Sequence, residues 1–565
     1  LPWLGAVIYA SAIRAGVGGA QALFILNPWL TAATAVVVFL AVIVLGHTRR
    51  AAAWCGLLFG LGTMAWPYAT TFLRDSLAMA LVSLAYLGIA LWIRGLGRDR
   101  VYGSILVGAG LLGGALAKNT VVALALGIGL TAFGSTVLRL RSSRRSWMPV
   151  AAILGAGLVV LLILAIVPED GPLARYSLGY YAFLAGHFTE SLRGSFLVHV
   201  VGPFLSPAKS IFLFSPPLIL ALPGLALASP RNRSFGPYVI AGTLGLAAAQ
   251  ALFYRDLWAG TVGWGLRFML PALPALIIAG APAVERILES PRRRTRALLL
   301  GLLAASGVIQ IAGSVVDWGR VYSIWAEGGL DPFLASSAWQ ARFLAVPRQL
   351  FLLADPSTWS LLWARLVSGG SGSAVLVPSA AILIAACGLL VICRDIRDAP
   401  AARNRALASV LLAAAIVAPV FPTLHLAAAD PAFGGGRPEF EEALRTWESD
   451  GRPTDEVLVD SYGTPLWAFL MNRWTSAARW TSLPYEIPDP SLGFGPAAPS
   501  AATLTILEAA EAGEGRIGYF TSDETPDAGL GREVTWLESH DRLITSAEFD
   551  GVTRVVLRIY CGCGR

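Results

Sequence analysis

Residues 66–75 read WPYATTFLRD and stand where one apolar run, 51–65, gives way to the next, 72–93. The adjacent Arg74 and Asp75 therefore fall at the edge of a membrane. An ionisable pair there costs little if it reaches the interface, but inside a helical bundle it is expensive enough to mark a functional site. Asp75 has two readings. It is either a helix-start aspartate favoured by the macrodipole, or a residue on the working face of a membrane enzyme.

Working outward, apolar runs of about 17–25 residues, enough to cross a bilayer, lie at 28–46, 72–93, 101–117, 119–138, 147–167, 210–228, 235–254, 266–284, 297–316, 374–393 and 406–427. The shorter run 51–65 carries Gly56, Gly60 and Gly62, small residues suited to close helix packing, and brings the expected count to twelve. The loops support that count. Segments 47–50, 94–100, 139–145, 229–234, 285–296 and 394–405 are short and Arg-rich, holding about 20 Arg in about 50 residues. With twelve spans they all fall on one side, which the positive-inside rule makes cytoplasmic. The opposite loops are about fourfold poorer in basic residues. The outer side then receives 66–75, Lys118 with Asn119, 168–209, 255–265, 317–373 and the tail 428–565. Residues 1–27 are expected to be the remnant of a first outer loop, with one further span upstream.

Composition agrees with this reading. Of 565 residues, 55% are hydrophobic and 14% charged, with a mean hydropathy of +0.63; soluble domains run nearer 25% charged. The fold class is thus a polytopic α-helical membrane protein with transmembrane residues 28–427. The net charge of +7 reflects topology rather than nucleic-acid binding. Five cysteines make no disulfide framework, and Cys561 and Cys563 are too close for an easy mutual disulfide. The tail 428–565 is charged and rich in Pro and Gly. Strand-like 456–460, 516–520 and 552–560, with helix-like 433–451 and 504–512, predict a small extracytoplasmic α/β domain.

On the outer side, ionisable residues at span ends are Asp75, Lys118, Lys209, Arg255, Asp256 and Arg267. Cations beside a carboxylate at a membrane face suit a phosphate or diphosphate held among lipids; the carboxylate would hold a divalent ion or take a proton. Lys118 stands out because nearly every other basic residue is Arg. It is either an interfacial lysine snorkelling to headgroups or a phosphate ligand. Arg255 and Arg267 flank a Gly- and Trp-containing loop, and aromatic belts also explain Trp there. Two Ser-Pro steps surround Lys209. His187 and His199 lack a third ligand in pattern, so no metal residue is assigned.

Three stretches carry a resemblance: TFLRDSLAMALVSLAYLGIAL at 71–91; GGALAKNTVVALALGIGL at 113–130, with Asn119 where the family has Gly; and GWGLRFMLPALPALI at 263–277, preceded by SPAKSIFLFSPPLILALPG at 206–224. Their order resembles the bacterial GT-C glycosyltransferases, especially the protein-mannosyltransferase-like and aminoarabinose-transferase-like membrane families. The resemblance implies inverting transfer of a sugar from a polyprenyl-phosphate donor to a glycan, lipid or protein acceptor, at the outer face of the bacterial cytoplasmic membrane. It places the family's catalytic aspartate in the first outer loop, so no residue here takes that role. Carried over are Asp75 as supporting carboxylate and Lys118 and Arg267 as carrier-phosphate ligands, with Arg255 and Lys209 as further donor contacts. A divalent cation is left open. Two other classes compete: a non-catalytic membrane scaffold with an outer interaction domain, and a transporter, which calls for charges at mid-span and paired broken helices.

Overall fold

The computed structural model describes residues 7, 11, 14, 19–71, 74–139, 196–253, 258–259, 263–316, 318–327, 335–355, 358–359, 442–447, 454–459, 479–483, 501–513, 515–522, 530–549 and 555–561. Contacts divide the chain into two compact units, Leu1–Ser11 with Ala22–Phe421 and Ala12–Gln21 with Pro422–Arg565.

The first unit is helical: α1 (Gly19–Val44), α2 (Arg49–Gly62), α3 (Ala65–Ala69), α4 (Arg74–Arg94), α5 (Arg98–Ala117), α6 (Val121–Arg139), α7 (Phe196–Leu205), α8 (Ile211–Phe214), α9 (Ala221–Leu227), α10 (Gly236–Phe253), α11 (Leu273–Ala279), α12 (Ala281–Glu289), α13 (Arg293–Val315), α14 (Trp318–Glu327) and α15 (Ala345–Leu352). Six described segments are long and apolar enough to cross a membrane: Leu26–Val44, Arg74–Arg94, Arg98–Ala117, Arg233–Leu252, Arg267–Glu289 and Arg293–Val315. The chain is a multi-pass membrane protein.

The expected twelve spans are not all present in that form. At 14 residues, α2 rises about 21 Å, short of the roughly 30 Å hydrocarbon core. The run expected at 210–228 breaks into α8, a 3-10 turn at Pro216–Leu220 and α9, because Pro216 and Pro217 donate no backbone hydrogen bond. The run expected at 266–284 likewise opens as a 3-10 turn, Arg267–Ala272, before α11 and α12. These two broken segments pack together, with a Cβ at Gly224 only 2.1 Å from the Ala279 carbonyl. Parts of the expected loops 168–209 and 317–373 are helical, as α7, α14 and α15. The runs 147–167, 374–393 and 406–427 lie outside the described residues.

Glycines set the tightest packing. In the antiparallel pair α4–α5, a Cβ at Gly88 would stand 2.5 Å from the Gly103 carbonyl, and one at Gly110 would stand 2.6 Å from that of Leu81. Pair α6–α10 does the same, with Gly127 against Ala241 and Gly245 against Ala123. Among lipid tails as apolar as leucine, such close backbone approach is what holds helices together. Four of the basic segments meet at one end of the bundle. Glu285 accepts from the Thr48 amide at 2.7 Å and pairs with His47 at 2.6 Å; Asn232 donates to the Leu45 carbonyl at 2.9 Å; Arg231 reaches the Arg94 carbonyl at 3.5 Å.

The second unit is a five-stranded mixed sheet: β1 (Glu456–Val459), β2 (Arg479–Ser482), β3 (Arg516–Ser522), β4 (Arg542–Phe549) and β5 (Val555–Cys561), in the order β2-β1-β3-β5-β4. The first three run parallel, and β5 is antiparallel to both β3 and β4. Strand alternation splits the core between two faces. Val457, Val459 and Phe520 pack with Leu444 and Trp447. Leu458, Ile517 and Tyr519 pack with Leu507 of α16 (Ala501–Glu511) and Leu537 of α17 (Leu530–His540). Strands β2 and β4 and helix α17 carry too little pattern to be expected from the sequence. Cys561 is disulfide-bonded.

Asp455 anchors β1 to β3, accepting from the Arg516 amide at 2.9 Å and from its guanidinium at 3.0 and 3.2 Å. Removing one partner of so buried a charged pair costs about 3 kcal/mol. Asp455→Ala should therefore speed hydrogen exchange at the β1–β3 amides by about two orders of magnitude, and unchanged protection would show that the pair contributes nothing.

Candidate functional site

The helical hairpin α4–α5 determines where Asp75 and Lys118 go. With Gly88 opposite Gly103, thirteen residues back along α4 reaches Asp75 and thirteen forward along α5 reaches Leu116. The hairpin thus brings the head of α4 within a residue or two of Lys118. There the chain turns almost without a loop: the Lys118 amide still donates to Gly114, its carbonyl already accepts from Val121 at 3.0 Å, and Asn119 caps Thr120 through its own side chain. Lys118 donates to Asp75 in a buried ion pair, the two being 1% and 4% exposed. The lysine does not snorkel; it folds inward. Asp75 does occupy the first helical turn, but its carboxylate serves the ammonium.

Arg267 joins them through Phe268. The Lys118 ammonium lies 4.5 Å from the Phe268 ring centre and the Arg267 guanidinium 5.0 Å, so one aromatic ring serves two cations. The turn before Arg267 is held in place from α13. Trp264 donates to Gln310 at 3.2 Å, Gln310 donates to the Phe214 carbonyl at 2.7 Å, and Gly313 leaves room for the Trp264 ring. Gly265 adopts φ +63°, with Phe214 2.7 Å from where its Cβ would stand. A side chain there would be both strained and obstructed.

Lys209 reaches the same turn from another side. Its ammonium bonds the Tyr322 hydroxyl, which lies 3.5 Å from the Gly263 carbonyl. Tyr68, fully buried in α3, sits within electrostatic reach of Arg267, Asp75 and Tyr322 and packs on Trp318 at 5.0 Å. Asp75, Lys118, Arg267 and Lys209 thus gather at one end of the bundle, while Arg255 lies outside the described residues. Tyr322 and Phe268 have no part in the expected site; in the sequence they are two aromatics among many, and only the fold sets each ring beside a cation. His199 stacks on Trp258 at 6.2 Å, and His187 is outside the described residues.

Among the described residues, Lys118, Arg267 and Lys209 gather at the end that holds the single carboxylate of Asp75, and the charge of Arg74 also reaches Lys118. Among the described residues neither Arg267 nor Lys209 is ion-paired with an acid, and Arg267 Nε is buried without a hydrogen-bond partner. Such an excess of buried positive charge is costly unless an anion accompanies it. A divalent cation fits less well. Among the described residues no three His, Cys, Asp or Glu side chains gather, and Asp75 is already taken by an ammonium.

No protein-family model matches the chain, and no curated protein matches it. Among solved structures it is similar to the crystal structure of ArnT from Cupriavidus metallidurans bound to undecaprenyl phosphate. The TM-score is 0.47 with 14% identity, over 96% of this chain and 84% of that one. The apo state of the same protein gives a TM-score of 0.44 and 12% identity, over 98% and 86%.

Asp75→Asn strands the Lys118 ammonium, and losing one side of a buried pair costs about 3–5 kcal/mol. The variant should melt well below wild type in detergent, and Asp75→Asn with Lys118→Met should recover most of the loss. An Asp75→Asn protein as stable as wild type would show that the pair is not buried.

Proposed function

We propose that this protein transfers a sugar from a polyprenyl-phosphate donor to an acceptor at the outer face of the bacterial cytoplasmic membrane. The observation that carries the reading is the charge uncompensated among the described residues: buried Lys118 and Lys209 and half-buried Arg267 at the bundle end that holds the one described carboxylate, Asp75. A membrane-edge site of that charge suits an anion delivered within the lipid phase, and a phosphodiester on a polyprenyl tail is such a group. The reading rests on charge and burial rather than on the likeness to solved structures.

In this reading Arg267 supplies a planar fork to the donor phosphate, Lys118 adds a point charge, and Lys209 approaches from the Tyr322 side. Phe268 keeps the two nearer cations pointed at one place. Asp75 is the supporting carboxylate; it holds Lys118 in position and prevents the three cations from repelling one another apart. The acceptor hydroxyl attacks the anomeric carbon, the glycosidic C–O bond breaks, and the polyprenyl phosphate leaves with the bonding pair, inverting the configuration. Cations fixed beforehand stabilise the charge that grows on the departing phosphate. No residue of the cluster is assigned as the base that takes the hydroxyl proton. In this reading the C-terminal α/β domain, 428–565, is extracytoplasmic.

The broken segments 211–227 and 267–289 favour one other reading, a lipid or solute transporter. Against it, the described charges sit at an end of the bundle rather than at mid-span.

The test uses the purified chain in nanodiscs. Wild type should bind undecaprenyl phosphate and move a labelled sugar from its glycosylated form to an acceptor. Arg267→Met and Lys209→Met remove no ion pair among the described residues, so they should fold, yet each should weaken undecaprenyl phosphate binding about tenfold or more. Unchanged binding in both variants would overturn the phosphate reading. Lipid movement across the bilayer without sugar transfer would favour the transporter.

A further inference from the structure

The buried polar atoms without a hydrogen-bond partner near the Asp75–Lys118 pair include Thr120 Oγ1, Arg267 Nε, and both Nε2 and Oε1 of Gln250. Gln250 is the unusual one. It is 0% exposed, and neither end of its carboxamide is satisfied. Buried amides are normally bonded, and each orphaned group costs about 1–3 kcal/mol.

Packing fixes its height in the bundle. On α10, Val239, Thr243, Leu246 and Gln250 recur at helical spacing and are all buried, so this stripe faces the protein rather than lipid. Near its middle, the Gly242 position meets the Tyr86 hydroxyl of α4 and Ile128 of α6. Since α4 runs antiparallel to α10 and a helical tyrosine leans about one turn toward its own N-terminus, eight residues onward from Gly242 brings Gln250 to the level of the first turn of α4, which holds Asp75. The α6 contacts agree, because the Gly127–Ala241 and Gly245–Ala123 register continues to Gln250 opposite Lys118. Thr120 belongs to the turn that carries Lys118. The orphaned amide therefore stands at the charged end of the bundle, within about one helical turn, roughly 5.4 Å, of the level of the ion pair.

We infer that Gln250, with Thr120, forms a hydroxyl-binding subsite that receives the sugar of the phosphate-linked donor. The inference rests on the phosphate reading above. A sugar joined through its anomeric carbon to a phosphate held by Lys118 and Arg267 has its ring hydroxyls within about one helical turn of that phosphate. A carboxamide offers two N–H donors and an acceptor oxygen side by side, which matches two neighbouring hydroxyls, each both donor and acceptor. The threonine hydroxyl adds a third point. Such a subsite reads the sugar without reading the lipid.

The experiment compares undecaprenyl phosphate with undecaprenyl phosphate carrying glucose, mannose, galactose or N-acetylglucosamine, each titrated onto the chain in nanodiscs. Wild type should bind at least one glycosylated lipid more tightly than the bare one. In Gln250→Met, close in volume, and in Thr120→Val, that preference should fall about tenfold while affinity for bare undecaprenyl phosphate stays within twofold. If both variants keep the preference, Gln250 and Thr120 are structural and the subsite is overturned. It is overturned equally if wild type prefers no sugar while still binding the bare lipid. A wild type that binds neither kind of lipid overturns the phosphate reading and the subsite with it. Two separate substitutions guard against one of them failing to fold.

Discussion

The helical unit depends on an expensive arrangement, a lysine ammonium and an aspartate carboxylate sealed together where α4 begins and α5 ends. In a low-dielectric interior the attraction between them is strong, but so is the penalty for bringing either one in alone. The pair is tolerable because its members arrive together. Glycine contacts align two antiparallel helices, and a turn with almost no loop leaves Lys118 nowhere else to point. Arg267 and Lys209 then come in around Phe268 and Tyr322 without a matching acid among the described residues. This converts a neutral pair into a cationic end.

The two ends of the bundle solve the problem of charge differently. At the Arg-rich end, polar groups close on one another: Glu285 with His47 and the Thr48 amide, Asn232 with a carbonyl of the neighbouring loop. At the Asp75 end, among the described residues, buried cations outnumber carboxylates, and Thr120 Oγ1, Arg267 Nε and both ends of the Gln250 amide have no mate. The Arg-rich end is not fully closed, since Asn232 Oδ1 and Trp92 Nε1 there also lack a partner; what separates the two ends is the buried excess of cations, which an anion-binding end requires.

Much of this could be read from the chain. The apolar runs and the alternation of Arg-rich loops give a polytopic helical protein with a separate α/β tail, and the singular Lys118 stands out among arginines. The meeting of Lys118 with Asp75 was expected from position, and helical-hairpin register accounts for it. Other features were hidden by ordinary chemistry. Prolines in 211–227 and 267–289 leave hydropathy high while breaking the helix, so a hydropathy window sees one span where the backbone has several pieces. Strand β4 is mostly exposed, and its mixed polar sequence gives little alternation to read. Phe268, Tyr322 and Gln250 look like core residues in one dimension. Their importance comes from what stands opposite them, which only tertiary packing decides.

The close α4–α5 contact also limits how this region tolerates insertions and deletions. Backbones touching at Gly88, Gly103 and Gly110 cannot slide past each other, so the register between the two helices is locked at those points. One residue added between Gly110 and Lys118 would rotate everything beyond it by about 100° and carry the ammonium away from Asp75. A residue added in the 95–97 turn would disturb the close Gly95–Asp99 approach and the left-handed Gly97 but would leave the Gly88, Gly103 and Gly110 contacts and the charge pair in register. Length is therefore constrained most tightly at the charged end of the hairpin, where a change breaks the ion pair, and less at the other, where it strains only the turn, although both ends look alike in hydropathy.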